Sequence, residues 1–197
     1  MKLIAIAIFV FSSFAFAGPK VQFETNKGNF VVELNPERAP ITVANFLNYV
    51  DKNHFDQMVF HRVIENFVIQ GGGHVRGDQY LEEQVTDAPI PLESKGGLSN
   101  LRGTIGMART ADPDTATSQF YFNVKDNARL DYQSPEKPGY AVFGKITSGI
   151  EVMDAIRVVE TSEQEFLVID GDKKKVETYS DVPNEDVVIR TIRRIED

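Results

Sequence analysis

Few residues of this chain could act by acid–base, nucleophilic or metal chemistry. The 197 residues contain no cysteine and only three histidines, His54, His61 and His74. Without cysteine there are no disulfides, thiolate zinc sites or thiol nucleophiles. A serine–histidine–aspartate triad would need one of the three histidines as its base. His61 stands in an apolar run, where a satisfied core histidine is the simpler reading. His54 and His74 fall at a helix end and in a loop and read as solvated. No His-Glu-x-x-His segment occurs, and no histidine pair has ligand spacing. Asp170-Gly171-Asp172 lacks the twelve-residue calcium pattern and reads as a hairpin turn. Gly71-Gly72-Gly73 is not followed by Gly-Lys-Ser or Gly-Lys-Thr, so it reads as a bend where backbone passes close to backbone, not as a phosphate loop. What remains is a reaction that needs only positioning and polarisation, or a binding module.

The elements that must position any such site are mostly short strands. Val21–Thr25 and Phe30–Leu34 alternate around Asn26-Lys27-Gly28-Asn29 and predict a β-hairpin. After Pro40, the apolar residues Val43, Phe46, Leu47 and Val50 share one helical face, with Thr42 as the predicted N-cap. Met58–Ile64 reads as one strand with Val59, His61 and Val63 on one face and Phe60, Arg62 and Ile64 on the other. Phe67–Gln70 continues extended, and Gly73–Gly97 reads as a long loop with little regular structure. Thr104–Ala108, Gln119–Val124 and Tyr140–Ile146 are predicted strands; in the second, Gln119, Tyr121 and Asn123 share a face. Ser148 is the predicted cap of a second helix that buries Val152, Met153 and Ile156. Glu165–Ile169 and Lys175–Tyr179 form a charged hairpin, and Val187–Ile192 a closing strand. Many strands with two isolated helices imply a mainly β sandwich or barrel with helical caps, in one domain.

Composition narrows the partners. Acids outnumber bases by 29 to 21, for a net charge of −8. That argues against nucleic acid as a partner, which would need a basic face. Met1–Ala17 has Lys2, an unbroken apolar run from Leu3 to Phe11, and Ala15-Phe16-Ala17 as a cleavage site. This is the layout of a secretory signal peptide, with residues 18–197 as the domain that follows. Its removal takes Lys2 and leaves 20 bases against 29 acids, or −9. No further run is long enough to span a bilayer, so no membrane association is expected after cleavage.

Three segments, taken together and in this order, resemble the cyclophilin family of peptidyl-prolyl isomerases. They are Phe60–Ile64 through Phe67–Gly72, Gly106–Arg109 through Thr117–Tyr121, and Tyr140–Lys145. The resemblance covers most of residues 20–160 and the final strand, and Met107-Ala108-Arg109-Thr110 is most similar to the exported bacterial branch. It implies a closed eight-stranded antiparallel barrel capped by two α-helices. It also implies a peptidyl-prolyl cis-trans isomerase that acts on proline-containing peptides and unfolded exported proteins in the periplasm, without cofactor or metal, as a monomer.

By the same resemblance, Arg62 matches the family's catalytic arginine. Phe67, Val68 and Gln70 match residues that line the proline pocket and hold the substrate backbone. Ala108 and Arg109 match the pair beside the residue preceding proline, where many relatives carry asparagine at the second position. Gln119, Tyr121, Leu130 and Tyr140 match further pocket positions. The residue types suit the reaction. Rotation about a prolyl bond breaks amide resonance at a cost of roughly 18–20 kcal/mol. The twisted nitrogen regains a lone pair that a fixed guanidinium can stabilise, with no covalent step. An ordinary surface ion pair for Arg62, and ordinary core packing for Phe67 and Val68, are the alternatives.

The departures also have addresses. Arg129 stands where the family often has tryptophan or phenylalanine as a pocket wall, which implies weak cyclosporin A affinity. Tyr121 replaces the usual phenylalanine and brings a hydroxyl that needs a partner. Thr161–Ser180 extends beyond the short bacterial pattern. A proline-peptide binding module or chaperone with little turnover is the alternative function, and a purely structural domain is a third.

Overall fold

A computed structural model describes residues 18–171 and 173–195; the signal peptide expected over residues 1–17 lies outside them, as does Asp172 of the expected turn. The first hairpin forms as the alternation requires. β1 (Lys20–Thr25) pairs with β2 (Gly28–Leu34) in antiparallel register, with Phe23 opposite Phe30. Their rings stack at 4.6 Å and open a phenylalanine cluster that continues through Phe46, Phe55, Phe120 and Phe122, all essentially inaccessible.

Helix α1 (Pro40–Asp51) buries Val43, Phe46, Leu47 and Val50, as its apolar face predicts. Its start differs from expectation. The N-cap is Ala39 with Pro40 in the first turn, not Thr42. Proline preorganises the first turn but offers the exposed N–H groups no acceptor. The Glu93 carboxylate supplies it from the chain's other side, accepting from the backbone of Ile41 (3.1 Å) and Thr42 (2.7 Å). Helix α2 (Ile150–Ile156) buries Val152, Met153 and Ile156 and is preceded by Gly149 at φ 81°, not capped by Ser148, which closes the strand before it. A left-handed residue is needed there, and a Cβ at Gly149 would meet the backbone of Asn29 at 2.6 Å.

The remaining strands are β3 (Met58–Val59), β4 (Arg62–Val63), β5 (Val68–Gly71), β6 (His74–Arg76), β7 (Leu81–Glu83) and β8 (Thr104–Met107). They continue with β9 (Phe120–Asn123), β10 (Val142–Ser148), β11 (Thr161–Asp170), β12 (Lys173–Pro183) and β13 (Val188–Ile195). They form one sheet in the order β12-β11-β7-β6-β3-β13-β1-β2-β10-β8-β9-β5-β4, and the edge strands β4 and β12 pack against each other, so the sheet curls into a nearly closed barrel.

The fold is therefore mainly β with two helices, but the described residues form 13 strands where eight were expected. Three causes account for the excess. The predicted strand Met58–Ile64 breaks at Phe60-His61, because β3 pairs with β13 and β6 whereas β4 pairs with β5. The predicted loop Gly73–Gly97 contains the hairpin β6–β7. The hairpin β11–β12 extends well past the predicted charged hairpin, and its Phe166 and Val168 cover a second small core with Val59, Leu81 and Val182. β11 also joins β7 in parallel, so the sheet is not wholly antiparallel.

The same hairpin buries His74, which was expected in solvent. His74 lies 4.4 Å from the His61 ring and 4.9 Å from Phe166. His54, also expected to be solvated, is half-buried against Tyr49.

Candidate active site

Strand register builds the site. Arg62 on β4 stands opposite Gln70 on β5, and Gln70 stands opposite Tyr121 on β9. These three residues form a row across neighbouring strands on one face of the sheet. The alternating residues Val63, Ile69, Phe122 and Ile105 form the matching row on the core side. Tyr121 in turn faces Gly106 on β8, where a Cβ would come within 2.3 Å of the phenol ring. Glycine at 106 leaves the space that the ring of Tyr121 occupies.

A cleft of about 190 Å³ opens over this row, lined by Arg62, Phe67, Val68, Gln70, Ala108, Arg109, Tyr121, Leu130 and Tyr140. Nine of the ten site residues expected from sequence thus meet in one concavity. The tenth, Gln119, stands just behind the lining, where its Oε1 accepts from Gln70 Nε2 at 2.9 Å. That bond uses the amide nitrogen of Gln70 and leaves its oxygen able to accept. Ala108 is fixed by its N–H to Gln119 O (2.9 Å), and Tyr140 by its N–H to Leu130 O (2.9 Å).

A larger groove of about 960 Å³ lies elsewhere, beside Pro19, Leu34, Leu98 and Lys145. It holds none of the ten expected site residues. Convergent polar groups over an apolar floor mark a small-ligand site better than volume does, and these belong to the smaller cleft.

The hydroxyl of Tyr121 finds its partner inside the protein. It donates to Asn100 Oδ1 at 2.6 Å, and burial pushes its ionisation well above the usual phenol range, so it stays a neutral donor. Asn100 also accepts from Asn123 Nδ2 (3.1 Å), and its own Nδ2 and backbone N–H donate to Asp131. Asn127 Nδ2 bridges Asn123 Oδ1 (2.8 Å) and Phe67 O (2.9 Å), which ties the wall of the cleft to the same network. Burial raises the Asp131 carboxyl, but hydrogen bonds from Ser99 and Asn100 outweigh it and hold the group below its ordinary value.

Sequence reading did not single out Asn100, Asn123, Asn127 and Asp131 as supports. Asn123 was visible only as a polar residue sharing a strand face with Tyr121. Asn100, Asn127 and Asp131 lie in irregular segments, where no periodicity marks them.

Two guanidiniums shape the rim. Arg109 lies over the Tyr140 ring at 4.6 Å and donates to the carbonyls of Gly139, Thr110 and Ala111. Arg129 lies over the Phe67 ring at 4.3 Å. Arg62 has a carboxylate neighbour, with Nε 3.8 Å from Asp181 Oδ2. Asp181 belongs to the long hairpin and was not expected near the site. Among the described residues no group of His, Asp and Glu could hold a metal ion, and no helix is long and apolar enough to cross a membrane.

A family model for cyclophilin-type peptidyl-prolyl cis-trans isomerases matches residues 20–193. A peptidyl-prolyl cis-trans isomerase of Acinetobacter baylyi is 46% identical over 164 residues, spanning 82% of this chain and 85% of that protein. One from Streptomyces antibioticus is 44% identical over 175 residues, covering 88% and 96% of the two chains. Peptidyl-prolyl cis-trans isomerase A of Dickeya dadantii is 38% identical over 201 residues, covering 98% and 97%. A crystal structure of a Cryptosporidium parvum cyclophilin-type isomerase superimposes with a TM-score of 0.69 at 23% identity, covering 91% of this chain and 98% of that one. The same neighbour was also crystallised in the presence of the dipeptide Ala-Pro.

Proposed function

The chain belongs to the cyclophilin-type peptidyl-prolyl cis-trans isomerase family and is such an isomerase, and from that premise we propose that Arg62 stabilises the twisted prolyl amide over the cleft. The observation that carries this reading is the cross-strand row of Arg62, Gln70 and Tyr121 above one small concavity.

The proline ring enters the apolar part of the cleft, bounded by Phe67, Val68, Leu130 and Tyr121. Gln70, oriented by Gln119, holds one side of the substrate backbone. The other side turns. As it turns, the proline nitrogen loses conjugation and gains basicity, and the Arg62 guanidinium donates to it. Both planar forms lack that lone pair, so the contact favours the transition state over both ground states. A guanidinium suits the task because its charge is fixed and its donors are rigidly placed.

The physiological setting follows from the N-terminus. Residues 1–17 serve as a signal peptide, and the domain from Gly18 works in the periplasm on unfolded exported proteins, as a monomer without cofactor. With Arg129 in place of an aromatic wall, cyclosporin A binds weakly.

Protease-coupled assays on an Ala-Pro model peptide test the mechanism. Wild type accelerates cis-to-trans conversion, and Arg62→Ala loses about 100-fold or more in kcat/KM, the scale of one preorganised transition-state donor. Retained turnover in Arg62→Ala would reject the assignment.

A further inference from the structure

We propose that this cleft favours prolyl bonds flanked by acidic side chains, with Arg129 and Arg109 as the residues that set the preference. The proposal rests on the isomerase reading of the same cleft and adds a substrate class to it.

The chain as a whole carries a net charge of −8. Its cleft nevertheless gathers three guanidiniums: Arg62 and Arg109 in the lining, and Arg129 on the ring of the lining residue Phe67. The charges at 109 and 129 are left uncompensated. Arg109 spends its N–H groups on the neutral carbonyls of Gly139, Thr110 and Ala111. Arg129 is exposed, and among the described residues no carboxylate lies within ion-pair distance of either one. Four arginines elsewhere are closely paired, although Arg38, like Arg109, donates to a carbonyl. Arg76, Arg102, Arg193 and Arg194 each pair with a carboxylate at 2.6–2.7 Å.

Among the described residues Asp131 and Asp181 lie beside these groups and keep their charge, so three guanidiniums stand against two carboxylates. Asp131 is held by Ser99 and Asn100, and Asp181 sits beside Arg62. Stacking on Phe67 fixes the Arg129 head in place without neutralising it. A preplaced planar cation loses little side-chain freedom when a carboxylate arrives. Phe67 lines the cleft, and the Arg129 guanidinium lies 4.3 Å from its ring centroid, so a peptide bound in the cleft would lie near the cation. That is well inside the roughly 8 Å over which charges are felt at physiological salt.

The test compares tetrapeptides that differ only in one residue beside proline, Glu, Gln or Lys, with cis-trans exchange read directly by NMR on the purified protein. Exchange of the Glu peptide should exceed that of the Gln peptide by about three- to tenfold at low salt, as one or two exposed charge pairs would give. The Lys peptide should fall below Gln. The Glu/Gln ratio should collapse towards one near 0.5 M salt. Arg129→Gln should remove most of the ratio, and Arg129→Lys should restore part of it.

A ratio near one in wild type, a ratio unaffected by salt, or one that survives Arg129→Gln overturns the proposal. The Gln peptide keeps the two readings apart. No catalysed exchange of that peptide by wild type overturns the isomerase mechanism. Catalysed exchange without preference for Glu overturns only the acidic-substrate proposal.

Discussion

Nε of Arg62 lies 3.8 Å from Oδ2 of Asp181, and this pair joins the cleft to the β11–β12 hairpin. The two side chains are 37% and 38% exposed, so the pair adds little to stability. Its effect is on aim. A carboxylate on the Nε edge leaves the terminal nitrogens of the guanidinium for the substrate. Asp181 takes a φ of 62°, and the β11–β12 register slips between Ser162 and Gln164 nearby. Aspartate is one of the few non-glycine residues at ease in that region. Asp181→Asn should lower kcat by about two- to fivefold, the scale of an exposed ion pair, with KM unchanged. Asp181→Glu should recover part of the loss. If the residue only supports the hairpin, the substitution will instead lower the melting temperature and leave kcat intact.

The cleft residues could be named in the sequence through the resemblance to cyclophilins, whose matching motifs are short; residue pattern alone favoured ordinary core packing for Phe67 and Val68. Strand alternation put Gln119 and Tyr121 on one side, and the register aligned Arg62 and Gln70 with Tyr121, while Gln119 reaches Gln70 by a side-chain bond. Asp181 was not legible. Its approach to Arg62 depends on edge strands β4 and β12 meeting, a closure that no local pattern encodes. The capping of α1 by Glu93 failed for the same reason, since 51 residues separate Glu93 from Thr42. His74 was misplaced because the strand pairing β6–β7 and the covering Phe166 both come from distant chain.

Gly72 should be intolerant of alanine. Its φ is +85°, and a Cβ there would meet the Phe120 ring at 2.7 Å and Ser118 O at 2.9 Å. Phe120 is wholly buried and has no room to withdraw. Strain and overpacking together should cost about 2–4 kcal/mol, seen as a lowered urea midpoint. Gly96 provides the contrast. It also has positive φ, +71°, but a Cβ would meet nothing within 4 Å. Gly96→Ala should therefore cost only the backbone strain, about 1 kcal/mol. Equal losses at the two positions would mean that the contact with Phe120 is irrelevant.

Tyr121→Phe should destabilise modestly. The variant removes the bond to Asn100 Oδ1, but that oxygen keeps its bond from Asn123 at 3.1 Å. No buried acceptor is orphaned, so the loss should be about 1 kcal/mol. Asn100→Ala removes the acceptor and leaves the buried Tyr121 hydroxyl without its partner, while Asn123 Nδ2 keeps Thr104 Oγ1 and Asp131 keeps Ser99 and the backbone N–H of residue 100, so it should cost more, about 2–3 kcal/mol. Chemical denaturation of both variants measures the difference.

The buried histidine pair should make the fold acid-sensitive above the range where carboxylates titrate. His61 and His74 lie 4.4 Å apart, at 6% and 5% exposure, and neither Nδ1 has a partner among the described residues. Burial lowers His74 from 6.5 to about 4. Burial lowers His61 well below its ordinary value, with the His74 and Arg62 charges acting in the same direction. In the unfolded chain both titrate near 6.5. Between about pH 6.5 and 4 the unfolded state therefore binds more protons than the folded state, and stability falls as pH falls. The full contribution is present above pH 6.5. His74 alone should remove on the order of 3 kcal/mol by pH 4. His54, lowered by burial, adds a smaller loss in the same window. The first element to loosen should be the β11–β12 hairpin, because Phe166 packs on both rings. Loss of that hairpin withdraws Asp181 from Arg62, so turnover should decline with stability. His74→Leu should flatten the stability curve between pH 6.5 and 4. An unchanged slope in that variant would place the acid sensitivity elsewhere.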